Sequence, residues 1–402
     1  MSYEQEATVI NETIFDLINE LFKKEKETEN PEYRNNFFNE NKEFFVLTDD
    51  GSYSINSKEI NDKIETLHTS SGAISEAFEK FIKPLELEKK KEIAILDICA
   101  GLGYNSSAAI AEFKDKDLKI DMVEISKPTL ACGLLVPSPI EEHEITKKAI
   151  ENELIDQEYA TLSLQNYEIP ANIEINVFID DARQTIQNLE SNSYDAIFLD
   201  PFSQNMAPEL FSLDFFKEFR RVIKDEGIVC TYTSSAPVRA GFIEAGFNVG
   251  MGPIFGRKQG GTLASPSINV LDKSLPKNDE IRIALSDVGI PFRDYNLNDN
   301  SENILERRSL ERKNARHTTK ISSAVKTPIF LTVDMDDEKL KRRVERNLAK
   351  MNIPSTTSKE AFYILEPEND YEKFQSINNN SRKRILKMIE NLTAIKNNEV
   401  EL

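Results

Sequence analysis

"IAILDICAGLGYNSSAAIAEF", residues 93–113, is the stretch on which the fold turns. Its first six residues, apolar except for Asp97, read as a buried strand, and Tyr104 to Phe113 reads as a helix. Between them, Gly101 and Gly103 suit a tight strand-to-helix turn where a ligand can approach the backbone closely. Strand, glycine turn and helix together form the opening unit of a layered α/β sheet.

The same rhythm continues downstream. "KIDMVEI" (119–125) is a second strand, residues 127–168 read as helix with breaks, and "IEINVFI" (173–179) is a third strand. "ARQTIQNL" is helical, "YDAIFL" (194–199) is the fourth strand, and "PELFSLDFFKEFRRVI" is a helix with a broad apolar face. "GIVCTYT" (227–233) supplies a fifth strand, "APVRAGFIEAG" a helix, and "FNVG" and "TLAS" short terminal strands. Near-continuous apolar strands separated by helices predict a mostly parallel sheet covered on both faces. That is a doubly wound, Rossmann-like α/β fold, whose ligands sit at the carboxyl ends of the strands.

Outside this core the pattern changes. Residues 1–44 are expected to form an N-terminal helical extension, with Ile10, Ile14, Phe15, Leu17, Ile18, Leu21 and Phe22 at helical spacing. "FFVLTDDGSYSINSKE" then has the look of a hairpin turning at Asp-Asp-Gly. The α/β domain is expected over 45–270. A polar and then basic segment over 271–330 packs on the core or links from it, its cations concentrated in "ERRSLERKNARHTTKISSAVK". Residues 331–402 make a small α/β or helical appendage, with helices around "DEKLKRRVERNLAKM" and "SRKRILKMIENLTAI" and "AFYILEP" as a possible strand between them.

Composition narrows the function. Acids outnumber bases 69 to 50 in 402 residues, a net charge of −19, so any nucleic-acid partner needs a local basic patch. Three separated cysteines, Cys99, Cys132 and Cys230, fit a reducing cytoplasm and argue against a disulfide framework. Three scattered histidines make a histidine-built metal site improbable, and no metal is expected. The N-terminus carries no secretory pattern, and no apolar run reaches membrane-spanning length, so a cytoplasmic protein without a membrane partner is expected.

Four strands end in acids. Asp97 precedes the glycine turn, and the GxG alone admits NAD, FAD and S-adenosylmethionine readings as well as an unliganded turn. Ser106 stands where a dinucleotide fingerprint has its third glycine. The run matches the acidic-x-G-x-G-x-G loop of S-adenosylmethionine-dependent methyltransferases, with Cys99 in place of the first glycine. Glu124 ends the second strand where a carboxylate can accept both ribose hydroxyls. Asp180 and Asp181 end the third, one of them near an adenine amino group, or else capping the next helix. Asp200 ends the fourth and is followed by Pro201 and Phe202, similar to the Asp/Asn-Pro-Pro-aromatic signature of amino-methyltransferases with one proline missing. A carboxylate accepting an amine N–H, beside an aromatic face, stabilises the positive charge that develops as the amine attacks a methyl group.

The segment "DAIFLDPFSQNMAPELFSLDFFKEFRRVIKDEGIVCTYTSSAPVRAGFIEAGFNVGMGPIFGRKQGG" strongly resembles the methyltransferase domain of the MnmC family, over roughly residues 45–270. The pieces that carry it are Leu-Asp-x-Phe after the fourth strand, the Pro-Glu-Leu-Phe-Ser-Leu-Asp-Phe-Phe helix start, the Thr-Ser-Ser-Ala-Pro-Val-Arg turn and Phe-Gly-Arg-Lys. The chain has Asp200-Pro201 where Asp-Gly is expected in bacterial members. Neither the length nor a second dinucleotide loop for the flavin domain of bifunctional members is present, so a stand-alone form is expected. The resemblance implies methyl transfer from S-adenosylmethionine to the amine of a 5-aminomethyl-type wobble uridine in tRNA. It implies cofactor contacts from Asp97, Gly101, Gly103, Glu124, Asp180, Asp181 and Asp200, catalysis by Asp200 and Phe202, and acceptor contacts from Phe202, Tyr232, Arg239, Arg257 and Lys258.

Two other readings remain open at the level of sequence. A small-molecule amine methyltransferase or polyamine aminopropyltransferase-like enzyme would use the same carboxylates on a cationic substrate. A non-catalytic RNA-binding protein would have no use for the loop, Glu124 and Asp200 together. The basic segment from Arg307 to Lys326 suits phosphate contacts, or equally a solvated linker.

Overall fold

The structure, a computed structural model, describes residues 10–59, 64–256, 258–322, 326–365, 380–400 and 402. It divides into two compact units: Met1–Leu210 with Arg221–Tyr232 and Gly252–Gly261, and Phe211–Arg220 with Thr233–Met251 and Thr262–Leu402.

The first unit opens with α1, Glu12–Thr28, whose start is fixed by the Asn11 side chain accepting the Thr13 N–H. It buries Ile14, Ile18, Leu21 and Phe22. The helix α2, Glu32–Glu40, follows, and its Arg34 lies between the carboxylates of Glu25 and Glu151. Those carboxylates also accept the backbone N–H groups of Thr161, Leu162, Leu164 and Gln165, so a fully buried charge cluster pins the extension to a loop of the unit. The expected hairpin is β1, Phe45–Leu47, antiparallel to β2, Tyr53–Ile55, with Gly51 at φ +84° in its turn. A short helix, α3, Ala73–Ala77, leads into the sheet.

The sheet of this unit is built from β3 (Glu92–Ile98), β4 (Asp117–Glu124), β5 (Ile173–Ile179), β6 (Tyr194–Leu199) and β7 (Ile223–Thr231). They run in the order β5-β4-β3-β6-β7, and each neighbouring pair is parallel. The connections carry α4 (Tyr104–Phe113), α5 (Lys127–Leu135), α6 (Glu142–Asp156) and α7 (Ala182–Asn188). The chain therefore winds outward from β3 in both directions, and the order switches between β3 and β6. Ile98 is level with both Val123 and Leu199, and Glu124 with Ile179, so the carboxyl ends of four strands form one edge. β6 is buried along its whole length, as a central strand covered on both faces must be.

In the second unit the aromatic face expected after "PELFS" is real. On α8, Leu213–Val222, Phe215, Phe216 and Phe219 are fully buried, and Phe216 stacks on Phe242 of α9 (Ala236–Glu244) with ring centroids 3.9 Å apart. β8 (Asn248–Met251) and β9 (Thr262–Ser265) are antiparallel. Among the described residues five α-helices follow: α10 (Lys277–Leu285), α11 (Ser301–Ala315), α12 (Glu338–Ala349), α13 (Lys359–Leu365) and α14 (Ser381–Lys396). The expected strand at "AFYILEP" is a correction: residues 361–365 lie in α13, where Ala361, Ile364 and Leu365 are buried at i, i+3, i+4 spacing. The inner face of α10 is joined to α14 by Glu280 and Arg384, a two-bond ion pair with both side chains buried.

The basic segment takes most of its own cations inward. Arg307 pairs with Asp299 and lies over the Tyr295 ring. Arg308 donates to the Ile290 and Val288 carbonyls and covers the Phe292 ring at 4.6 Å. Arg312 and Arg316 share Asp287, and the buried Lys320 ammonium donates to the Ile283 and Ala284 carbonyls. These groups hold the second unit together.

Candidate active site

The turn after β3 needs left-handed backbone three times in five residues: Cys99 at φ +64°, Gly101 at +55° and Gly103 at +86°. Gly103 ends the turn as the residue before α4, and a Cβ there would lie 2.6 Å from Thr146 Cγ2. At Gly101 the nearest atoms to such a Cβ are Leu67 Cδ2 at 3.7 Å and the Cys99 carbonyl oxygen at 3.8 Å, so the conformation and not crowding calls for glycine. Cys99 adopts the same geometry at a cost of about 1–2 kcal/mol. Its N–H and that of Ala100 both donate to the Val123 carbonyl, which fixes the turn to β4.

Four carboxylates gather around this turn. Asp97 is fully buried, with Oδ2 accepting the Ser106 hydroxyl at 2.6 Å, and with no hydrogen-bond partner for Oδ1 among the described residues. Burial raises its carboxyl to about 7, and the charges of Asp200 and Glu124 push the same way. Glu124 accepts the Gly101 N–H at 3.2 Å and the Ser126 N–H at 3.1 Å, and burial raises it too to about 7. Asp200, half-buried at the end of β6, accepts the Asn105 side-chain N–H at 3.1 Å. The Cys99 thiol is held well above its usual range, first by burial and then by Glu124, Asp200, Glu209 and Asp97. Glu209, in the helix Pro208–Phe211, adds its charge to that of the three strand-end acids.

Phe202 and Tyr232 are half-buried beyond the ends of β6 and β7. Asp180 is exposed, while Asp181 caps α7 through the Arg183 N–H and pairs with the Arg183 guanidinium, which is the capping alternative for that residue. Lys258 is exposed, and Arg257 lies outside the described residues. Arg239 lies in the second unit, only 1% exposed, bonded to Thr262 and Asp279.

Sequence reasoning missed three residues. Asn105 and Glu209 lie inside stretches it singled out, but a polar residue in a first helical turn reads as a cap or a solvated side chain. Glu65 gave no signal: its carboxylate accepts the Ser203 N–H at 2.8 Å, 138 residues away, and so holds the loop that follows Asp200.

The arrangement fits a cationic nucleoside ligand. A buried carboxylate oxygen on Asp97 without a partner among the described residues, and a second carboxylate at the end of β4, offer acceptors for a ribose diol and for positive charge. Among the described residues, no group of His, Cys, Asp and Glu could hold a metal ion. Fold and site together define an S-adenosylmethionine-dependent methyltransferase.

Comparison with known proteins narrows the class. Residues 141–267 match a family described as S-adenosyl-L-methionine-dependent methyltransferase. The uncharacterized protein MJ0670 of Methanocaldococcus jannaschii is 32% identical over 304 residues, covering 75% of this chain and 81% of that protein. The tRNA 5-methylaminomethyl-2-thiouridine biosynthesis bifunctional protein MnmC of Ralstonia nicotianae is 27% identical over 222 residues, 50% of this chain but 32% of its own length. The chain thus spans about a third of that bifunctional relative. The crystal structure of MnmC2 from Aquifex aeolicus superposes with a TM-score of 0.55 at 29% identity, covering 67% of this chain and 85% of the other. This chain belongs to the same family as MJ0670 and carries an MnmC-like S-adenosylmethionine-dependent methyltransferase domain.

Proposed function

We propose that the chain methylates the primary amine of a 5-aminomethyl-type uridine at the wobble position of tRNA. The observation that carries the reading is Asp200, at the switch point of the sheet, held by Asn105 of the cofactor turn. The name of the MnmC relative, a tRNA 5-methylaminomethyl-2-thiouridine biosynthesis protein, supports tRNA as the substrate class. A cytoplasmic location follows from such a substrate.

When bound, S-adenosylmethionine supplies a methyl group on a positively charged sulfur. In the proposed site Glu124 accepts the ribose hydroxyls, Asp97 supports the turn, and Asp180 lies toward the base. Asp200 accepts an N–H of the incoming amine and aligns its lone pair, while Phe202 and Tyr232 offer apolar walls that exclude water. The amine must reach this edge deprotonated, so the proton it sheds passes from Asp200 to solvent. A base stacked in an anticodon has to be turned outward to enter.

The carboxylate cluster also favours a second reading, a small cationic amine as acceptor. One experiment separates the two: labelled S-adenosylmethionine, bulk tRNA from a strain lacking this protein and, in parallel, polyamines, followed by nucleoside mass spectrometry. Label in a wobble uridine supports the proposal; label only in the polyamine fraction overturns it.

A further inference from the structure

The strongest unassigned feature lies on α12, in the second unit. Lys339, Arg343, Arg346 and Lys350 are exposed and fall at i, i+4, i+7 and i+11, one stripe along the helix. At 1.5 Å per residue the stripe is about 16 Å long. The opposite face is spent on the fold: Val344 and Leu348 are buried. Among the described residues, none of the four cations lies within ion-pair distance of a carboxylate. This differs from the flanking Lys341 and Arg342, which approach Asp334 and Glu338. It differs also from the basic segment, whose arginines are taken up internally. The positive field continues past the end of the helix, where the His317 imidazole is held below its usual range by burial, then by Lys350, with Lys396 and Arg316 adding to it.

An ordinary solvated helix face mixes signs, because like charges at i, i+4 repel. In a chain of net charge −19, a stripe of one sign marks a place where a polyanion can approach a protein that elsewhere repels it. Three classes of anionic surface could meet it. A membrane would need the apolar face of the helix, which is already buried. A protein interface would need an aromatic or apolar anchor, and the exposed face of α12 carries none. Phosphates of a nucleic acid need only spaced cations, with arginine best suited to bind them through two N–H groups.

We infer that the Lys339–Arg343–Arg346–Lys350 stripe of α12 is a docking surface for the phosphate backbone of tRNA. The inference rests on the reading of the chain as a tRNA-modifying enzyme, and it adds a contact surface outside the methyl-transfer site.

The test uses the full chain with Arg343→Glu/Arg346→Glu, and Arg343→Gln/Arg346→Gln as a milder pair. Lys23→Glu/Lys89→Glu, at two exposed lysines of the first unit, gives the same net-charge change elsewhere. The expected result is a KM for bulk tRNA raised by about tenfold in the Glu pair, less in the Gln pair, with kcat at saturating tRNA and S-adenosylmethionine affinity unchanged. The slope of log KM against log salt should flatten by about 2, one for each lost phosphate contact. If the parent methylates tRNA and the α12 pair keeps its KM and salt slope, or the control pair shifts them equally, the stripe is not the docking surface and the activity stands. If the parent methylates no tRNA, binding of bulk tRNA followed by fluorescence anisotropy decides: salt-dependent binding lost in the Glu pair keeps the surface, and no binding overturns it. Binding to phosphatidylglycerol vesicles in place of tRNA would also overturn it.

Discussion

Asn105 donates its side-chain N–H to Asp200 across 3.1 Å, joining the first turn of α4 to the end of β6. The pair connects the loop proposed to face the cofactor with the carboxylate proposed to face the acceptor. Asn105→Ala removes a hydrogen bond to a charged group, worth about 1.5–3 kcal/mol. Turnover should fall by about 10–100-fold, while S-adenosylmethionine affinity stays within about threefold because Gly101 and Glu124 are untouched. Single-turnover rates alongside calorimetry separate the two; an equal loss in both would assign Asn105 to the cofactor.

Glu124 and Asp97 predict a proton release. Both carboxyls are raised to about 7 by burial, from an ordinary value near 4. A raised acid favours the folded protein below its ordinary value, and that contribution is lost as pH climbs through the folded one. Ligand-free protein should therefore lose thermal stability between about pH 5 and pH 8 from this source. A cationic ligand that accepts hydrogen bonds from neither acid binds the ionised forms better. Calorimetry at pH 6 in buffers of different ionisation enthalpy should thus show protons released on S-adenosylmethionine binding, fading by pH 8. No release at pH 6 would show that neither acid meets the ligand. In Glu124→Ala the lost charge-assisted bonds, about 2–4 kcal/mol, should weaken binding by about 30–1,000-fold.

The buried pair in the second unit gives a stability prediction. Glu280→Ala leaves Arg384 buried without its carboxylate, a change that costs about 3–5 kcal/mol when one partner of a buried pair is removed. Replacing both residues by Met or Leu should recover most of that loss. Urea unfolding of the single and double variants checks it, and a single variant as stable as the parent would mean the pair is not buried as described.

The sheet was legible because its strands are short apolar runs and four of them end in an acid at the same edge. Asp97, Glu124 and Asp200 could be placed from that pattern alone, since the carboxyl edge of a parallel sheet is where ligands sit. The parts that escaped depended on contacts the local pattern does not encode. "AFYILEP" has the aromatic and β-branched content of a strand, and seven residues are too few for periodicity to decide against a helix. The arginines of the basic segment looked available because Asp287 and Asp299, which hold three of them, lie 8 to 29 residues away. Asp181 could be read either as a ligand or as a cap, and the cap and its ion pair to Arg183 became visible only in the structure. Glu65 on Ser203 is a tertiary contact across 138 residues, invisible to any window.

Asp200 carries the sharpest prediction, because it is proposed to serve the acceptor and not the cofactor. A free alkylamine is mostly protonated at neutral pH, and a carboxylate that only held it would stabilise that unreactive form. Asp200 must therefore relay the first proton to solvent and then orient the remaining N–H bonds toward itself, so that the lone pair faces the methyl group. Asp200→Asn keeps the size and an acceptor oxygen but loses the charge. S-adenosylmethionine affinity should stay near that of the parent, and turnover should fall by about 10²–10⁴-fold, the range of a lost acid–base group. The rate of the variant should also climb with pH toward the amine's own pKa more steeply than the parent's, because deprotonation then depends on bulk base. Normal turnover in Asp200→Asn, or loss of cofactor binding in its place, would transfer the role of holding the acceptor to Phe202 or Tyr232.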